Sequence, residues 1–132
     1  MKYLLDTHVL LWALFEPARI SARAQKIVEN PEDDVQVSAL SFWEVALKYQ
    51  IGKLAFEHCA PDDLPKQVER MGIGVLPIDA GLLASSYRLP LDVHKDPFDR
   101  LLAWQAIKQG LVLITKDSSM ENYRPAGLKI LW

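Results

Sequence analysis

Asp6 interrupts the stretch "YLLDTHVLLWAL", an otherwise almost wholly apolar run. A carboxylate in such a setting is costly unless something compensates its charge. Other acids recur in short stretches of chain far from it: Glu44 in "SFWEVALK", Asp96 and Asp99 in "HKDPFDRLLAWQA", and Asp117 in "LVLITKD". Hard oxygen donors of this kind suit Mg²⁺, which takes a few carboxylates and keeps several waters that phosphate oxygens can replace. The histidines fit a different chemistry less well. His8, His58 and His94 make no His-x-x-x-His spacing and no Cys/His zinc pattern with Cys59.

The elements that must position these acids alternate in type. "KYLL" at 2–5 reads as a short buried strand ending at Asp6, and 7–15, with Pro17 beyond, reads as a helix. Ser21 opens a second helix, closed by Asn30-Pro31. The alternation in "VQVSA", 35–39, predicts a strand, and Ser41 then opens a helix with Gly52 at its end. A helix over 61–71, starting near Asp62, precedes the strand "GVLPI" at 74–78, where Pro77 points to a sheet edge. Asp79 caps "AGLLASSY"; Asp96, with Pro97 in the first turn, caps a longer helix that stops at Gly110. "LVLIT", 111–115, is a continuous apolar strand of the kind buried on both faces, and "LKIL", 128–131, is a last short strand. The pattern predicts an α/β fold of one domain, residues 1–132: a three-layer α/β/α sandwich around a parallel sheet of four to five strands.

In such a sheet the carboxyl ends of the strands share one edge with the helix N-termini that follow, and ligands bind there where strand order reverses. Connectivity alone brings Asp6, Glu44 and Asp117 to that edge. Asp99 joins them if the connection from Pro90 to Lys95 wraps back over it. Two carboxylates at the spacing of neighbouring strands, about 4.8 Å, repel by about 3 kcal/mol at an effective dielectric near 20. A divalent cation removes that repulsion. Each acid also has a plain structural reading. Ser41 and Glu44 fit a capping box, Asp96 fits a helix cap, Asp99 can complement the helix dipole, and Asp117 can serve a turn. The metal reading rests on their joint placement.

With 15 basic against 17 acidic residues the formal charge is −2, which argues against unspecific nucleic-acid binding over the whole surface and leaves room for a local basic rim. Arg100 can reach a phosphate or a neighbouring carboxylate, and Lys48 lies where an ordinary intrahelical pair with Glu44 would put it. Trp12, Trp43 and Trp104 sit in apolar helical stretches and read as core, and His58 as a surface loop. The single cysteine cannot close an internal disulfide, no apolar run approaches a membrane span, and a secretory signal pattern is missing. A cytoplasmic location is the expectation.

Taken together, "YLLDTHVLLWAL", "SALSFWEVALKYQIGKL", "HKDPFDRLLAWQA" and "LVLITKD" resemble the PIN-domain family, and more narrowly the VapC-type toxins of bacterial and archaeal toxin–antitoxin pairs. The likeness covers essentially the whole chain, with its motifs in order. It implies an endoribonuclease that depends on Mg²⁺ or Mn²⁺, acts as a homodimer, is restrained by a small cognate antitoxin, and leaves a 5′-phosphate and a 3′-hydroxyl. It assigns the metal-binding and catalytic acids to Asp6, Glu44, Asp99 and the more variable Asp117, with Asp96 a less certain member. Thr7, Ser41 and Thr115 become supporting residues. Arg100, Lys48, Lys53, Lys95 and Lys116 become candidates for the basic rim.

The main rival is a Mg²⁺-dependent phosphoacceptor domain of the receiver type, with Asp79 as acceptor, Asp6 as metal ligand and Lys116 as phosphate sensor. It lacks paired acids after the first strand and gives Glu44 and "DPFDR" no work. A haloacid-dehalogenase-type phosphatase would want an aspartate where His8 stands.

Overall fold

In a computed structural model, residues 1–91 and 96–132 of the chain are described. His94, Lys95 and most of the connection from Pro90 to Lys95 lie outside the described residues. The strands are β1 (Lys2–Leu5), β2 (Asp34–Ser38), β3 (Gly74–Leu76), β4 (Val112–Ile114) and β5 (Lys129–Leu131). The helices are α1 (Thr7–Phe15), α2 (Ala22–Glu29), α3 (Ala39–Gln50), α4 (Leu64–Arg70), α5 (Ala80–Ser85) and α6 (Pro97–Gln109). The strands form one parallel sheet in the order β3-β2-β1-β4-β5. β3 is an edge strand, as Pro77 just beyond it indicates.

Alternation along β1 builds two cores. Leu4 joins Leu82, Phe98, Leu102 and Tyr123 on one face of the sheet. Tyr3 and Leu5 join Val9, Leu10, Ala24 and Val68 on the other. β4 does the same, with Leu113 in the first core and Val112 and Ile114 in the second. Both faces are therefore covered, which is why these central strands read as unbroken apolar runs.

Two expectations change, and one segment without a reading gains structure. The helix after β2 starts at Ala39, because the Ser38 hydroxyl accepts from the Leu40 amide; Ser41 lies inside the first turn and opens nothing. Trp43, read as core, is 60% exposed, with its ring edge-on to Phe98. Residues Ser118–Ala126, which carry no clear periodicity, wind as a 3₁₀ helix that buries Met120 and Tyr123.

Candidate active site

β1 and β4 lie side by side at the centre of the sheet, although the chain between them builds β2 and β3 on the far side of β1. This is the point where strand order reverses, and Asp6 stands at its carboxyl end. The Asp6 amide donates to the Ile114 carbonyl at 3.0 Å, which carries the β1–β4 pairing one step past the strand ends. Asp6 occupies the N-cap position of α1, yet its side chain makes no capping bond. Its carboxylate turns toward β4 instead, where the Thr115 hydroxyl donates to Asp6 Oδ2 at 2.6 Å. Asp6 Oδ1 is buried and has no hydrogen-bond partner among the described residues. Burial holds the Asp6 carboxyl above the ordinary carboxylate range and the negative charge of Glu44 adds to this, against the opposing pull of the Thr115 hydroxyl and the charge of His8.

Thr115 has a second task. Its Oγ1 accepts from the Asp117 amide at 3.0 Å, so one hydroxyl links the first and last candidate acids. Asp117 Oδ1 accepts from both the amide and the hydroxyl of Ser119, so the turn reading of this residue holds alongside its place at the edge.

The earlier start of α3 moves Glu44 out of the first turn, and the expected capping box with Ser41 does not form. Ser41 packs inward and shares a 2.8 Å hydrogen bond with Thr7, which fixes the start of α3 against the start of α1. One turn further along, Glu44 is buried with Oε1 partnerless among the described residues, while Oε2 accepts from Lys48 Nζ at 2.5 Å. The Lys48 ammonium also feels Asp96 and Asp99 from α6. Lys48, which spacing marks only as one half of an intrahelical pair, is therefore part of the cluster.

On α6, Asp96 is the cap: its Oδ1 accepts from the amides of Phe98 and Asp99. Asp99 is buried in the same first turn. Arg100 donates to the carbonyls of Leu89 and Pro90, so its guanidinium ties the start of α6 to the segment before it. Lys53 and Lys116 are exposed, the latter beside the Trp12 ring. Asp79 is exposed and caps α5 through the Leu82 amide, beyond the edge strand and two strands from Asp6. The phosphoacceptor alternative therefore has no shared site to work in. A surface groove of about 760 Å³ runs along α1 and residues 54–59 and is lined at one place by His8. What sets the acidic edge apart is burial and charge, not concavity.

Among the described residues, no three histidine, cysteine, aspartate or glutamate side chains gather closely enough to cage an ion by themselves. The set on hand is two buried carboxylate oxygens without partners, Asp6 Oδ1 and Glu44 Oε1, with Asp99 buried nearby. Such a set fits a hard cation that keeps much of its water, as Mg²⁺ does.

The sequence matches the PIN domain family over residues 3–124. It is 30% identical to Ribonuclease VapC22 of Mycobacterium tuberculosis over 130 residues, 98% of this chain and 97% of the relative. The fold is similar to a chain of DNA-bound VapBC from Salmonella typhimurium, with a TM-score of 0.69 and 20% identity over 99% of this chain and 97% of that one. It is also similar to a chain of VapBC2 from Rickettsia felis bound to a promoter DNA fragment, with a TM-score of 0.67 and 14% identity over 99% and 98% of the two chains. With its family motifs in register along one parallel sheet, the chain belongs to the PIN-domain family.

Proposed function

We propose that this protein is a divalent-metal-dependent endoribonuclease and the toxin of a toxin–antitoxin pair. The observation that carries the chemistry is the pair of partnerless, buried carboxylate oxygens at the sheet's switch point. The kinship with a protein named as a VapC ribonuclease carries the substrate class. The VapBC assemblies among the structural neighbours support a small antitoxin as partner.

Asp6 and Asp99 would hold the Mg²⁺ or Mn²⁺ ion, directly or through water. When bound, the ion polarises a phosphoryl oxygen and makes water a better nucleophile. Thr115 holds Asp6 Oδ2, which leaves Oδ1 as the oxygen to meet the ion. Glu44 Oε1 and Asp117 orient the attacking water in line with the departing 3′ oxygen. The products are a 5′-phosphate and a 3′-hydroxyl, and the RNA 2′-hydroxyl is a bystander. An acidic edge repels RNA, so Lys48, Lys53 and Lys116 draw in the phosphates, and binding weakens as salt rises.

The test is cleavage of a mixed RNA pool with Mg²⁺, with Mn²⁺ or with EDTA, followed by end mapping, with Asp6→Asn as control. Cleavage that needs the ion, is lost in the variant and leaves 5′-phosphates is expected. Cleavage unaffected by EDTA, or 2′,3′-cyclic ends, would overturn the proposal.

A further inference from the structure

We propose that Lys48 is a built-in counter-ion of the acidic edge: its ammonium holds Glu44 on the protein's own charge and leaves the divalent ion to Asp6 and Asp99. The inference rests on the nuclease reading of that edge and assigns its acids between two cations.

Glu44 and Lys48 stand one turn apart on α3. Most pairs at this spacing lie in water and matter little. This one does not: the Glu44 side chain is 1% exposed and the Lys48 side chain 29%. Removing the cation would leave a carboxylate out of water with nothing to balance it. The ammonium also lies against α6, where Asp96 and Asp99 add negative charge.

The Asp6 half of the edge is built differently. Among the described residues, the charges acting on Asp6 are those of His8, which is exposed, and of Glu44, which is negative. Its side-chain hydrogen-bond partner, the Thr115 hydroxyl, is neutral. Among the described residues, one acid therefore has a lysine in contact and the other has not. An ammonium carries three donors in no fixed plane. Lys48 can hold Glu44 Oε2 and still offer a donor to a phosphate oxygen, the place a second metal ion would otherwise fill.

The experiment compares the full chain with Lys48→Met and with Glu44→Gln/Lys48→Met, by thermal melting in EDTA and by calorimetric titration with Mn²⁺. Lys48→Met should melt several degrees lower in EDTA. It should also bind Mn²⁺ at least about tenfold more tightly, because Glu44 is released to serve as a ligand. The double variant should regain the parent's melting temperature and lose the gain in affinity. If Lys48→Met does not fold, the double variant decides: melting at or above the parent supports the inference, and melting well below it overturns the inference. A Lys48→Met chain with unchanged melting and unchanged Mn²⁺ affinity, or with weakened affinity, also overturns it. A parent chain that binds Mn²⁺ but cleaves no RNA would sink the nuclease reading alone, since both readouts here are taken without RNA.

Discussion

Asp6 has one oxygen anchored by Thr115 and, among the described residues, one buried without a partner. Its raised pKa, caused first by burial, fixes the sign of the pH dependence. The protonated carboxyl contributes stability that is fully present below the ordinary carboxylate range and is lost as pH rises through the folded-state value. In EDTA, Asp6→Asn should therefore be as stable as the parent or more so at neutral pH, and should lose part of the parent's decline in stability as pH rises above the ordinary carboxylate range. Urea unfolding across that range measures both. The same variant should lose ion-dependent cleavage by more than about a hundredfold, the upper range for removing a group that only supports a ligand. Asp96 and Asp99 are separable in the same way. Asp96→Asn should keep most of the cap, since asparagine caps nearly as well as aspartate. Asp99→Asn should cost more Mn²⁺ affinity than Asp96→Asn in calorimetry; equal losses would mean that the capping acid also holds the ion.

At the scale of elements, α3 sets Glu44 within electrostatic reach of Asp6, and α3 with α6 sets Lys48 within reach of Asp99; the helix termini decide whether they do. The C-terminal stop of α6 is Gly110, which has φ of +68° and open space where a Cβ would stand. Gly110→Ala should cost about 1 kcal/mol in urea unfolding, all of it from the left-handed backbone, and leave Mn²⁺ affinity unchanged. Much of this layer was legible beforehand. Pro97 and Asp96 mark the start of α6, Pro77 marks the edge strand, and unbroken apolar runs mark the strands covered on both faces. The start of α3 was misread because Ser38 and Ser41 are both competent caps. Only tertiary contact with Thr7 shows that Ser41 is spent elsewhere. The role of Lys48 was hidden for a similar reason. Spacing shows that it can reach Glu44, whereas the burial that gives the pair weight comes from the packing of α3 against α6. Trp43 was read as core from its apolar neighbours, which do not reveal which side of α3 faces outward. Residues 118–126 escaped because a 3₁₀ segment with Pro125 inside it shows neither period.

At the scale of the molecule, no helix among the described residues is long and apolar enough to cross a membrane. One stripe on α3 is nonetheless greasier than a monomer needs: Trp43, Leu47 and Ile51, four residues apart, are 60%, 36% and 57% exposed. Such a row supports the homodimer that the family resemblance implies. Sedimentation should give about twice 15.0 kDa for the parent, and Leu47→Glu/Ile51→Glu should shift it toward 15.0 kDa. A parent that stays monomeric at high concentration would remove the dimer.

The central claim is that the carboxyl end of β1, at the sheet's switch point, binds a divalent cation through Asp6. A crystal of the chain grown with Mn²⁺, with data collected near the manganese edge, locates the ion directly. An anomalous peak at coordination distance from Asp6 Oδ1, or one water away, is the expected result. A peak held only by acids remote from this edge, or an Asp6 oxygen still without a partner at saturating Mn²⁺, would contradict it.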